Sequence, residues 1–254
     1  LFIGMLLLLV LRGACNSGSV MTQATGFAYE VVVVMDQKDW KGPAGEAIKS
    51  ELASSVPGLP QAEPSLKITY VQPKDFTGLL RYVRNILVVT IDPTAYTKVS
   101  VGYENNVWAR GQVVVSLKAP NTESIVEYSK THEKALVNFF VKVEMNRAIE
   151  QLQKEYSMVV MDNLKSDLNV MLNAPANFTY YKDTTDFFWS SNNANTGRMD
   201  LIVYTFPYTD PNTFTEEYLV AKRDSVLKAN LPGSFPGSYM QTETRAGVEY
   251  TPIT

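Results

Sequence analysis

Residues 31–34 are four consecutive valines. Branching at every Cβ stiffens χ1 and favours extended backbone. A strand with no polar alternation leaves no side for water, so this one is expected to be buried on both faces. Asp36 ends it. Residues 86–91 form another apolar strand, closed by Asp92-Pro93, and residues 112–117 a further one after Trp108. Leu66, Ile68 and Tyr70 alternate with Lys67 and Thr69, the pattern of a half-exposed strand.

Helices are expected between these strands. Pro43 suits a first helical turn, and Ala44, Ala47, Ile48 and Leu52 share one face of a helix reaching about Ser55. Residues 56–64, with three prolines, are a loop, and residues 76–83 a short helical segment. From Asn121 to about Tyr156 there is neither Pro nor Gly. The spacing of Ile125, Tyr128, Leu136, Phe139, Val143, Ile149, Leu152 and Tyr156 predicts an amphipathic helix, continuous or broken, with one face on a sheet. The helical reading continues to Leu172. Beyond Pro175, strands are expected near residues 178–181, 187–189 and 201–206. A helix then starts at a capping box of Thr213 and Glu216 and stops before Pro232-Gly233.

The fold class is therefore α+β, with helices packed on a mixed β-sheet. A weak internal echo joins Trp108, Pro120-Asn121-Thr122 and Glu127-Tyr128 to Trp189, Pro211-Asn212-Thr213 and Glu217-Tyr218. Two related α/β lobes and a shared strand-turn-helix grammar both account for it.

Residues 1–11 are apolar except for Gly4. Eleven helical residues reach about 16 Å, roughly half a hydrocarbon core, which suits the h-region of a signal peptide rather than a span. Gly13, Ala14 and Cys15 follow, and Cys15 is the only cysteine. This resembles the lipobox of bacterial lipoproteins, in which the Cys thiol carries the lipid, with Arg12 standing where that pattern has an aliphatic residue. Residues 1–15 are expected to be this signal, and 16–26, small and polar, a flexible tether. Residues 27–172 form a first lobe ending in the long helix, and 173–254 a second, incomplete one. Positions 16–19, Asn-Ser-Gly-Ser, contain no acidic residue. The lipoprotein resemblance then implies a lipid anchor in the outer membrane, on the periplasmic side. Neither the true start nor the C-terminal end of the protein is expected to lie within these residues.

A set of short motifs carries a second resemblance: Met35-Asp36 with Trp40 and Pro43-Ala44-Gly45, residues 56–60, Val107-Trp108-Ala109-Arg110 and Glu144-Met145-Asn146-Arg147. To these add Trp189-Ser190-Ser191-Asn192-Asn193-Ala194, Tyr208-Thr209-Asp210 and Lys222-Arg223-Asp224-Ser225-Val226. Together, from about Tyr29 onward, they resemble an uncharacterised family of Bacteroidota lipoproteins, domain of unknown function 4837. That family has no established activity, so the resemblance implies no catalytic residue.

Charge and composition narrow the chemistry. The chain has 23 Lys plus Arg against 26 Asp plus Glu, so no basic excess exists for phosphate contacts and no nucleic-acid partner is expected. One His and one Cys exclude disulfide frameworks, Cys-rich zinc sites and most nucleophile–base pairs. No P-loop, dinucleotide fingerprint or EF-hand spacing occurs, so neither cofactor nor metal is expected. His132 reads as a partly buried, hydrogen-bonded imidazole on the helix stripe. Ser225-Val226-Leu227-Lys228 matches the Ser-x-x-Lys of penicillin-binding enzymes, but the supporting motifs are absent or misplaced. Asp36 and Asp92 read as turn formers.

If this chain has a recognition surface, the residues for it are Trp189, Asn192 and Asn193, where an aromatic face adjoins amides, with Trp108 and Arg110 contributing similarly. The same pattern also reads as core aromatics followed by a turn-rich Asn/Gly connection. Two functions from different classes are open. One is a lipid-anchored, non-catalytic binding or scaffolding module for an envelope protein or glycan. The other is an envelope glycan hydrolase working through a carboxylate pair.

Overall fold

A computed structural model describes residues 21–245, 247–248 and 250. Cys15, the expected signal and the first part of the tether lie outside them.

The chain folds as α+β around two sheets. The first has five strands in the order β2-β1-β3-β5-β4. β1 (Glu30–Val34) runs parallel to β2 (Lys67–Val71) and to β3 (Asn85–Ile91), and β3 runs parallel to β5 (Val113–Ala119). β4 (Ser100–Asn105) pairs antiparallel with β5 at the edge. Parallel neighbours need crossovers, and covering elements therefore lie on both faces. Val31, Val33, Leu87 and Val115 meet α2 (Pro43–Leu52), α3 (Thr122–Thr131) and α4 (Ala135–Lys154), whose Ile48, Ile125 and Phe140 are fully buried. On the opposite face, Val32, Val34, Ile86 and Val114 are covered by Phe76, Leu80 and Trp108. The valine run is thus enclosed from both sides, as its composition requires.

A short helix α1 (Gln37–Trp40) precedes α2. The expected segment at 76–83 is two 3-10 turns, Pro73–Asp75 and Gly78–Tyr82. The helix expected from Asn121 is broken: α3 ends at His132, and Lys134 is in the left-handed conformation before α4 begins. The strand β4 escaped sequence reading because all six residues are exposed and its alternation is short, Val101 and Tyr103 on either side of Gly102.

Within the stretch expected as tether, residues 22–25 are tied to the sheet. Thr22 O accepts from Arg110 N–H, Ala24 N–H donates to Arg110 O, and Thr25 N–H donates to Tyr82 O, at 2.8–2.9 Å. Their polar composition hides this because the contacts are made by backbone.

The second sheet is an antiparallel meander of β6 (Tyr180–Thr184), β7 (Phe187–Ser191) and β8 (Asp200–Tyr204). Val160 and Leu164 of α5 (Met158–Leu168) pack with Ala174, Phe178 and Phe188. The helical reading to Leu172 therefore stops early, at Asn169, which takes the left-handed conformation that closes a helix. The last helix, α6 (Glu216–Asn230), is capped by Thr215 and not by Thr213. Thr213 belongs instead to a capping box with Asp210 on the preceding 3-10 turn, Pro211–Phe214. One sheet is mostly parallel and the other wholly antiparallel, so the internal echo is local grammar and does not extend to topology.

Candidate functional site

The amino ends of β1, β3 and β5 converge beneath the middle of α4. The inward stripe of α4 is Leu136, Val137, Phe140 and Glu144, so the fourth position carries a carboxylate where spacing calls for an apolar group. Glu144 is 3% exposed. Its Oε2 receives Arg84 at 2.8 Å, while Oε1 receives Arg147 at 2.6 Å and Asn85 Nδ2 at 2.7 Å. Asn85 also donates to Glu30 O at 2.9 Å, and its Oδ1 accepts from Arg147 at 2.7 Å. The other guanidinium nitrogen of Arg147 donates to Arg84 O at 3.1 Å and Gly111 O at 2.9 Å.

Two guanidinium groups thus share one buried carboxylate. Arg147 spends its forked donors on the protein, pinning α4 to β3 and to the turn at Gly111. Arg84 has one contact to Glu144 and keeps a quarter of its side chain exposed. Burial lowers the pKa of Arg147; Glu144 opposes that shift and Arg84 adds to it. The cluster forms the floor of an open cleft of about 470 Å³, walled by Gln23 and Tyr29 on one side and Gln151 and Lys154 on the other. Such a floor can hold an anionic group through charge-assisted hydrogen bonds.

The residues expected to bind are distributed over both sheets. Trp108 is half-buried, edge-to-face with Phe76 at 5.6 Å and 5.9 Å from the Arg81 guanidinium. Arg110 is exposed and donates to Gln23 at 3.1 Å, which places it beside the cleft. Trp189 lies in β7, its indole N–H donating to Asp200 at 2.9 Å and its face 6.0 Å from Arg198. Asn192 organises its own turn: its carbonyl oxygen accepts from Ala194 N–H and Met199 N–H, and its amide donates to Gly197 O. Asn193 is exposed in a left-handed conformation. Trp108 and Trp189 stand on different sheets, and Phe187 and Phe188 are core.

Arg84, Glu144 and Arg147 were not singled out for chemistry in the sequence. The available signal was Glu144-Met145-Asn146-Arg147, a charged pair three residues apart on the apolar stripe of a helix.

The remaining candidates resolve into structural roles or exposed positions. Asp92 accepts from the N–H of Thr94 at 2.8 Å and of Ala95 at 3.2 Å, and is a turn former as expected. Asp36 precedes α1 without a side-chain cap. His132 is exposed and not partly buried as expected, because it follows the last turn of α3, and it stacks on Tyr128 at 4.3 Å. Ser225 and Lys228 are exposed on α6, with Lys228 4.8 Å from the Tyr239 ring. Glu51 is buried; its Oε1 accepts from Leu136 N–H at 2.7 Å, and its Oε2 has no partner among the described residues. Burial pushes its pKa up, against the Leu136 hydrogen bond. Asp167 and Asp183 meet on the surface between α5 and β6, where burial and then Asp167 raise the Asp183 pKa. Neither lines the cleft. Among the described residues no group of three His, Cys, Asp or Glu could hold a metal ion, and no helix is long and apolar enough to cross a membrane.

Comparison with known families divides the chain between α4 and α5. Residues 24–153 match a domain of unknown function, DUF8532, and residues 157–254 match another, DUF4837. No curated protein and no solved structure matches.

Proposed function

We propose, from the premise that this chain belongs to the DUF8532 family and carries a DUF4837 match behind it, that it is a non-catalytic binding module of the cell envelope. Cys15 carries the lipid that holds it at the outer membrane, on the periplasmic side. The cleft floored by Arg84, Glu144 and Arg147 receives an acidic group, carboxylate or phosphate, borne by a protein or glycan partner. One observation carries this reading. Two cations share Glu144 at the floor of an open cleft, Lys154 and Glu150 also line it so that cations outnumber carboxylates by one, and Arg84 has donors with no partner among the described residues. A partly desolvated excess charge is stabilised by an anion from outside.

The hydrolase reading has less support. It needs two carboxylates facing each other across a groove. The two that line the cleft, Glu144 and Glu150, both come from α4, both oxygens of Glu144 are engaged, and Asp167 and Asp183 meet away from it.

Thermal unfolding with inorganic phosphate and with glucuronate as minimal acidic probes tests the cleft. A probe at a hundredfold its Kd stabilises by about 2.7 kcal/mol, a rise of several degrees. Arg84→Gln is expected to abolish that rise and Trp189→Ala to leave it. An unresponsive wild type, or an Arg84→Gln protein that responds equally, overturns the assignment. The anchor is tested separately: the protein is expected in the detergent phase on phase separation, and Cys15→Ala in the aqueous phase.

A further inference from the structure

The chain leaves the described structure at Met21, at the amino end of the first sheet, where Thr22 O accepts from Arg110 N–H and Thr25 N–H donates to Tyr82 O. Six residue steps separate Met21 from Cys15. Fully extended they span about 20 Å, whereas a compact body of about 130 residues is roughly 35 Å across. An anchor on Cys15 therefore keeps this end of the sheet near the bilayer.

Elements beside this end expose large apolar side chains that no other described residue covers. Phe27 is 76% and Leu79 83% exposed. In the chain, Phe27 lies two residues after Thr25 and Leu79 three before Tyr82, and these partners form a backbone seam in which Thr25 N–H donates to Tyr82 O and Arg84 N–H donates to Thr25 O. Met21 and Tyr82 add exposed apolar surface beside them. Exposed Phe and Leu close in the chain to this seam, with Tyr82 in it, fit the boundary between headgroups and acyl chains. Arg81, Arg84 and Arg110 lie along the same seam, so cationic side chains stand beside the apolar ones and headgroup contact adds to apolar insertion.

We propose that the amino end of the first sheet rests on the lipid bilayer, with Phe27 and Leu79 dipping into its interface. The inference rests on the lipid anchor proposed above and adds an orientation to it. Residues 23–29, which bear Phe27, also wall the cleft, so an acidic group would reach Arg84 from close to the membrane surface.

Cys15 is the only cysteine and is blocked by lipid in the anchored protein, so one introduced cysteine is the only free thiol. The full lipidated chain is labelled with bimane at Phe27→Cys, at Leu79→Cys or at Met171→Cys. Met171 is 76% exposed and belongs to the segment after α5. Each protein is bound to phosphatidylethanolamine vesicles containing brominated acyl chains. The expected result is quenching at 27 and 79 at least about twofold stronger than at 171. Proteins that float with the vesicles but are quenched equally at all three sites overturn the orientation while leaving the anchor standing. Proteins that do not float overturn the anchor, and the orientation with it.

Discussion

Glu144 occupies a position that helix periodicity assigns to the core, and it is tolerated because three donors converge on it. Removing it leaves two guanidinium groups facing each other, so Glu144→Gln is expected to lower stability by about 3 kcal/mol in urea unfolding. Glu144→Met combined with Arg147→Met is expected to lose less than the sum of the single changes, because each partner is costly chiefly when left alone. Glu51 presents the opposite case, a buried carboxylate with one oxygen unpaired. Its folded-state pKa is raised, so its contribution is most favourable below the unfolded-state pKa and is lost as pH rises through the folded value. Glu51→Gln keeps an acceptor for Leu136 N–H and removes the charge. Its urea midpoint is expected to fall less than the wild type's over that pH interval.

At the level of elements, the sequence was legible wherever burial imposed a period. The enclosed β1 and β3 and the amphipathic α2 and α3 come directly from valine runs and apolar stripes. β4 was missed because an exposed edge strand writes only a short pattern, here Val101 and Tyr103 on either side of Gly102. The end of α5 was overrun because Asn169 acts through backbone conformation, which composition does not display. Gly45 is a similar case. In α2 a Cβ at this position would fall inside the Trp40 carbonyl group, so close approach of α1 and α2 depends on glycine. Gly45→Ala is expected to cost about 3 kcal/mol, seen as a lower urea midpoint with an unchanged slope.

On the scale of the whole molecule, the buried clusters of the first sheet draw every residue from positions between 31 and 143. Residues 21–155 are therefore expected to unfold cooperatively when produced alone, with the circular dichroism of an α/β domain. A fragment that lacks a cooperative transition would show that the first core depends on residues 156–254. The sequence by itself determined the fold class, the strands enclosed on both faces and the helices that cover one of them, because each is a local pattern answering to burial. It also supplied Arg110, which borders the cleft. Only the tertiary structure decided that Arg84, Asn85, Glu144 and Arg147 are one cluster. Their partners are up to 63 residues apart, and strand order, not spacing, brings them together. It likewise decided that Thr25 pairs with Tyr82 and Arg84, since adjacency across a backbone seam leaves no period in the chain.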